Sequence, residues 1–253
     1  MKDRAYRWIV RLGSLFLRLL DVRIEVRGSE HVPAEGAVVL AISHFSYLDF
    51  ILAEWAIWRG PKRYTRFMAT AASFEHKLAG PLMRSMGHIP VDRSAGASAY
   101  RFAARALDDG QIVGVFPETR VSRSFTLLAF KNGAVRMAAR SGAPLIPCVI
   151  WGSHRLMTRT HKTQLRKSRH TPVIISFGPP LYVGSDEDPT CATERLRAAM
   201  EGLLAQAQDS YPVEGSGAWW QPAHRGGGAP TAEDGLLLDG PYLAAKSSTS
   251  RAS

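Results

Sequence analysis

Cysteine is scarce in this sequence: Cys148 and Cys191 are the two in 253 residues. They show no C-x-x-C or zinc spacing and are too few for a disulfide framework. That usage suits a reducing compartment. Long apolar runs are missing too, since no segment reaches the ~18 to 20 continuous apolar residues of a spanning helix. The N-terminal stretch WIVRLGSLFLRLL is interrupted by Arg11 and Arg18, and no small-residue cleavage site follows. A secretory leader is therefore not expected. There is no Gly-rich phosphate loop, no G-x-S-x-G elbow and no His-x-x-x-His pair, so no cofactor or metal site is expected. Acids are in deficit, 22 against 32 lysines and arginines, for a formal charge of +10. Such an excess points to a polyanionic surface or an anionic ligand. No RNP or zinc-finger pattern accompanies it, which argues against nucleic acid.

What remains is globular in composition, with 45% hydrophobic and 21% charged residues. Short apolar runs such as GAVVLAIS (36–43), QIVGVFP (111–117), APLIPCVIWG (143–152) and TPVIISFG (171–178) read as strands. Helical patterns fall between and after them, among them YLDFILAEWAIW, SAYRFAARALDDG, NGAVRMAARSG and TERLRAAMEGLLAQAQ. HKLAGPLMRSM reads as a broken helix. This alternation predicts an α/β layered domain, with a central mostly parallel or mixed sheet flanked by helices. Residues 1–20 form a separate unit: Trp8, Ile9, Leu12, Leu15, Phe16, Leu19 and Leu20 recur at helical spacing, with Arg4, Arg7, Arg11 and Arg18 mainly opposite. A basic amphipathic helix of this kind suits a membrane interface, and equally a surface helix packed on its own domain. The domain itself is expected over 21–210. From 211 the composition turns Gly- and Pro-rich, predicting a flexible or surface-laid tail over 211–253.

The stretch HFSYLD places His44 and Asp49 five positions apart in an apolar run. Within one regular helix five residues turn about 500°, leaving the side chains about 140° apart. They meet only if His44 precedes the helix and Asp49 lies in its first turns. A helix starting near Ser46 allows this. An aspartate accepting from one imidazole nitrogen fixes the tautomer and leaves the other nitrogen as a base. Two further loops follow short strands. GHIPVDRS carries Asp92 and Arg93, and VFPETRVSRSF carries Glu118, Arg120 and Arg123. Strand-end loops are where α/β sheets build their sites, and arginines there can hold phosphate in a bidentate grip.

These blocks resemble the glycerolipid acyltransferases, the family that includes lysophosphatidate acyltransferase. HFSYLD matches H-x-x-x-x-D, GHIPVDR matches G-x-I-x-x-x-R, FPETRVS follows F-P-E-G-T-R-S imperfectly, and APLIPCVI with Pro147 matches the apolar fourth block. The resemblance covers about residues 25 to 180. It implies transfer of a fatty acyl group from an acyl thioester, acyl-CoA or acyl carrier protein, to the free hydroxyl of lysophosphatidate. Another lysophospholipid or a polyol phosphate as acceptor, or a silent lipid-binding protein, are the alternative readings. It implies His44 as base and Asp49 as its orienting partner. It also implies Arg93, Glu118 and Arg120 or Arg123 as acceptor-binding residues, with no cofactor beyond the co-substrate. The partners implied are a phospholipid surface, an acyl thioester donor and a lysophosphatidate-type acceptor. The place implied is the cytoplasmic face of the plasma membrane, peripherally bound. The third block departs from the family pattern in lacking the glycine after Glu118. Either one residue is deleted, or Thr119 stands for glycine and Arg120 for threonine. The basic run at 154–170, with six Lys/Arg and no acid, is either a solvated loop or a contact for anionic lipid headgroups or an acidic acyl donor.

Overall fold

Two strands buried along their whole length, VVLAI and LIPCVIW, set the centre of the molecule. Near-continuous apolar strands need cover on both faces, and helices provide it. The computed structural model describes residues 2–77, 79–92, 96–163 and 169–249. In chain order the elements are α1 (Lys2–Leu19), β1 (Arg23–Arg27), β2 (Val38–Ile42), α2 (Asp49–Arg59), β3 (Thr65–Thr70), α3 (Ala71–Glu75), α4 (Ala79–Ser85), β4 (Ile89–Val91), α5 (Gly96–Asp108), β5 (Ile112–Val115), α6 (Gly133–Ser141), β6 (Leu145–Trp151), β7 (Pro172–Phe177), α7 (Pro189–Asp209) and α8 (Ala232–Thr249).

The seven strands form one sheet in the order β1-β7-β6-β2-β5-β3-β4. Every neighbouring pair is parallel except β6–β7, so the sheet is mostly parallel and mixed, as the alternation of elements predicts. Alternate residues of each strand serve opposite faces. Val38, Leu40 and Ile42 pack with Leu52, Ala56 and Ile57 of α2. Val39 and Ala41 pack with Ala103 and Leu107 of α5, Val135 and Met137 of α6 and Leu196 and Met200 of α7. The chain thus leaves β2 through α2 on one face and leaves the adjacent β5 through α6 on the other. Diverging connections of this kind open a crevice at the carboxyl ends of the two strands.

Local boundaries differ in two places from the sequence reading. α2 begins at Asp49 rather than near Ser46, because the Ser46 hydroxyl accepts from Leu48 N at 3.0 Å within a turn that precedes the helix. The short helix α3, directly after β3, carries no periodic signal long enough to read. In the segment after α7, Trp220 and Ala229 are buried against the α7 side of the sheet.

Helix α1 carries two apolar stripes. Tyr6, Val10 and Leu17 are buried, and α1 packs on α2 and α4. Trp8, Leu12, Leu15, Phe16 and Leu19 point away from the domain and are exposed. The helix is therefore packed on its own domain and also presents an apolar face, with Arg7, Arg11 and Arg18 exposed beside it. Among the described residues no helix is long and apolar enough to cross a membrane.

Tyr6 anchors α1 by donating its hydroxyl to Thr65 O at 2.7 Å, and Thr65 N donates to Glu54 Oε2 of α2 at 3.0 Å. Burial pushes the Glu54 carboxyl up to about 8, against the opposing effect of the Thr65 hydrogen bond. A carboxyl raised in the folded state binds its proton there while the unfolded chain has lost it. Its contribution is therefore full below the unfolded value and is lost as pH rises through about 8. Glu54→Gln keeps an acceptor for Thr65 and cannot ionise. The variant is expected to match the wild type in urea unfolding at pH 4.5 and to exceed it at pH 8.5 by on the order of 4 kcal/mol. An unchanged difference across that range would rule out a buried titrating Glu54.

Candidate active site

The carboxyl ends of β2, β5, β3, β4 and β6 share one edge of the sheet, because these strands are mutually parallel. His44 leaves β2 there and Glu118 leaves β5. Ala41 and Val115 are register partners, so the residues three positions beyond each, His44 and Glu118, emerge side by side in the crevice. The structure joins them: His44 N donates to Glu118 Oε1 at 2.8 Å.

The expected pair forms in the expected way. His44 precedes α2, Asp49 is its first residue, and His44 Nδ1 lies 3.2 Å from Asp49 Oδ2. Asp49 is fully buried, while 18% of the His44 side chain is exposed. The same Oδ2 accepts from Phe45 N and Ser46 N, both at 2.8 Å, and Oδ1 accepts from Ser153 Oγ at 2.7 Å. Four donors converge on one buried carboxylate, an acceptor-only group when ionised. The imidazole stacks on Phe116 with ring centroids 4.1 Å apart. With Nδ1–H directed to Asp49, Nε2 carries the lone pair and can take a proton from a bound hydroxyl.

Ser153 is a site residue that motif reading missed. Its place after β6 was the available signal. Gly152 sits at φ +92°, where a Cβ would come within 2.3 Å of Pro172 O, so only glycine allows the tight turn that brings Ser153 to Asp49. Two more bonds tie this segment to the histidine loop. Ser46 Oγ donates to Met157 O at 2.6 Å and Thr158 Oγ1 donates to Phe45 O at 3.2 Å.

Glu118 lies behind the histidine. Its two oxygens accept from main-chain amides, Oε1 from His44 N and Oε2 from Leu128 N, each at 2.8 Å. Burial pushes its carboxyl up to about 8, and the two amides oppose that shift without cancelling it. These bonds lock the β2 and β5 loops together. Thr119, next along, adopts φ +60°, the left-handed geometry that glycine takes freely. The loop therefore fits the register in which Thr119 stands for glycine and Arg120 for threonine. The family's arginine position then falls on Val121, which is buried.

Arg120 and Arg123 nevertheless reach the same place. Their Nε atoms lie 3.7 and 2.6 Å from the two carboxylate oxygens of Asp239 on α8. Arg159, from the basic run, joins them with Nη1 3.2 Å from Asp239 Oδ1. Arg93 lies outside the described residues. The rest of the basic run divides. His154 is fully buried, stacks on Phe125 at 4.3 Å and approaches Trp220 O at 3.0 Å, and burial lowers its pKa to about 3. Arg155 lies over the Trp220 ring at 4.6 Å. This half of the run is built into the domain. Among the described residues, no group of three or more His, Cys, Asp or Glu side chains is arranged to hold a metal ion.

The acyltransferase family profile matches residues 23–151, from β1 to the end of β6. The 1-acyl-sn-glycerol-3-phosphate acyltransferase of Bacillus subtilis is 31% identical over 182 residues, spanning 71% of this chain and 84% of that one. The enzyme of the same name from Limnanthes douglasii is 28% identical over 174 residues, 67% of this chain and 58% of that one. In fold, the chain resembles the crystal structure of the 1-acyl-sn-glycerophosphate acyltransferase PlsC from Thermotoga maritima. The TM-score is 0.62 at 22% identity, covering 84% of this chain and 82% of that one. The matched span of 23–151, which contains His44, Asp49 and Glu118, and the 31% identity establish that the chain belongs to the acyltransferase family.

Proposed function

We propose that the protein transfers a fatty acyl group from an acyl thioester to the free hydroxyl of lysophosphatidate, giving phosphatidate. The observation that carries this reading is the His44–Asp49 pair at the mouth of the β2–β5 crevice, in a chain 31% identical to an enzyme named for that reaction. His44 Nε2 takes the hydroxyl proton as the acceptor oxygen attacks the thioester carbonyl. The C–O bond forms, the C–S bond breaks, and the departing thiolate receives the proton from the imidazolium. Asp49 holds Nδ1–H and stabilises the imidazolium while it exists. The alcohol attacks directly, so no acyl-enzyme and no cofactor beyond the acyl-CoA or acyl carrier protein co-substrate is invoked. Arg120 and Arg123 hold the acceptor phosphate and so position its hydroxyl.

A lipid acceptor requires contact with a lipid surface. We assign that contact to the exposed stripe of α1, whose Trp8, Leu12, Leu15, Phe16 and Leu19 supply apolar area beside exposed Arg7, Arg11 and Arg18. The protein would sit peripherally, on the cytoplasmic face. Two free cysteines accord with that compartment.

Three experiments test the reading. His44→Ala, whose side chain lies at the mouth of the site, is expected to keep its melting temperature and lose about 10²–10⁴-fold in turnover of lysophosphatidate and acyl-CoA. Retention of wild-type turnover would refute His44 as the base. Glu118→Gln turns one acceptor oxygen into a donor facing a main-chain N–H, which costs about 1–3 kcal/mol of stability. It is expected to lower kcat, with little change in the KM for lysophosphatidate, because Glu118 places His44 rather than touching the acceptor. A selective rise in that KM would instead make it an acceptor ligand.

The third experiment concerns the membrane. Deleting residues 1–20 would remove the buried Tyr6 as well as the exposed stripe, so the cleaner variant is the triple substitution Trp8→Ser, Leu12→Ser and Phe16→Ser. These exposed changes should leave stability within about 0.5 kcal/mol each. Sedimentation with anionic vesicles is expected to fall sharply. Undiminished sedimentation would show that the stripe is not the anchor.

A further inference from the structure

Arg120, Arg123 and Arg159 share a carboxylate that comes from the far end of the chain. Asp239 is 2% exposed and faces Arg123 at 2.6 Å, Arg159 at 3.2 Å and Arg120 at 3.7 Å. The chain segments that carry the three arginines are tied to the His44 loop. Arg123 follows Ser122, whose N donates to His44 O at 2.8 Å, and Arg120 precedes it by two residues. Arg159 follows Thr158, which donates to Phe45 O. The cluster is therefore carried by two segments that are bonded to the His44 loop. One carboxylate offers a single charge and two oxygens. A phosphate monoester offers about −1.5 to −2 charges at pH 7 and three oxygens, the better match for three guanidinium groups.

Over residues 232–240 the element carrying Asp239 is lightly attached. Over residues 231–240, Gly235 and Asp239 alone are buried, four positions apart on one helix face. Gly235 lies against the Arg123 side chain, where an added Cβ would meet Arg123 Cβ at 3.5 Å. Leu236, Leu237 and Leu238 are 50%, 71% and 53% exposed and contribute little packing. The helix also holds Gly235, Gly240 and Pro241, residues that disfavour helix. Up to residue 240, its attachment rests on the ion pairs of Asp239.

We propose that Arg120, Arg123 and Arg159 form one site for the phosphate of the acceptor, with Asp239 as its resident counter-ion and α8 as a strap that the phosphate displaces. The proposal rests on the acceptor reading given above, and it adds Arg159 and the strap to it. Carboxylate and phosphate compete for the same guanidinium groups, so acceptor affinity is set partly by how tightly Asp239 holds. On this proposal the acyl donor binds elsewhere and its affinity does not change.

The test is Asp239→Asn in the full chain, with melting temperature as the check on folding. The KM for short-chain lysophosphatidate is expected to fall about tenfold, equivalent to about 1.4 kcal/mol of lost competition, while the KM for acyl-CoA stays constant. Arg159→Gln is expected to raise the first KM and leave the second. Movement of the strap is read without turnover, by hydrogen exchange of residues 232–240. In the wild type, millimolar glycerol 3-phosphate should speed exchange there and glycerol should not. In Asp239→Asn exchange should already be fast. An acceptor KM that is unchanged or raised in Asp239→Asn overturns the proposal, as does protection that glycerol 3-phosphate leaves intact. If neither wild type nor variant makes phosphatidate, the functional reading fails, and the exchange experiment alone decides on the strap.

Discussion

The carboxylate of Asp49 is the point on which the site depends. A fully buried carboxylate is costly unless its lone pairs are filled. Here they are filled from two separate segments: the His44 loop supplies the imidazole and two amides, and the turn after β6 supplies Ser153. Satisfying Asp49 thus sets the distance between the ends of β2 and β6 and fixes the imidazole at the same time. Glu118 does the corresponding work between β2 and β5 with its two main-chain bonds. Two buried acids hold His44, one at its main-chain amide and one at its ring, and part of the ring stays exposed.

The bracing comes with backbone strain. Thr119 at φ +60° and Phe125 at φ +55° are non-glycine residues in left-handed geometry within one short loop. Such positions cost about 1–3 kcal/mol each and persist where the surroundings over-determine them. The surroundings do so here through Glu118, through Ser122 N on His44 O, and through Ser122 Oγ, which donates to Thr126 O at 2.7 Å. The strained loop is the one that delivers Arg120 and Arg123 to a common point.

A lipid-processing reading also asks how an interface reaches this edge. The two stripes of α1 answer with one helix. Tyr6, Val10 and Leu17 spend their apolar surface on the domain, and Trp8, Leu12 and Leu15 hold theirs in reserve. Neither stripe alone would both fix the helix and leave an exposed apolar face. The hydroxyl of Tyr6 extends the fixation to the sheet through Thr65, beside Glu54.

The strands and the longer helices of the sheet domain, but not α3 or α8, and the His44–Asp49 pair were determined by the sequence on its own. The strands show as apolar runs because both faces of a parallel sheet are buried, and the helices show by their period. The five-residue spacing permitted a single geometry for contact, a histidine before the helix and an aspartate within it, and the structure has that geometry. Glu118 and the two arginines were legible as residues of a strand-end loop, but their directions were not. A sequence does not say that the oxygens of Glu118 turn inward to main-chain amides, nor that Arg120 and Arg123, whatever their register, aim at one point. Ser153, Arg159 and Asp239 were invisible for a stronger reason. Each acts on a partner 80 to 119 positions away, and each sits in a stretch whose local pattern carries no signal of that partner. Only the packing of β6 beside β2, and of the C-terminal helix over the third loop, brings those charges within reach, because ion pairs and hydrogen bonds act over ångströms in space and not along the chain.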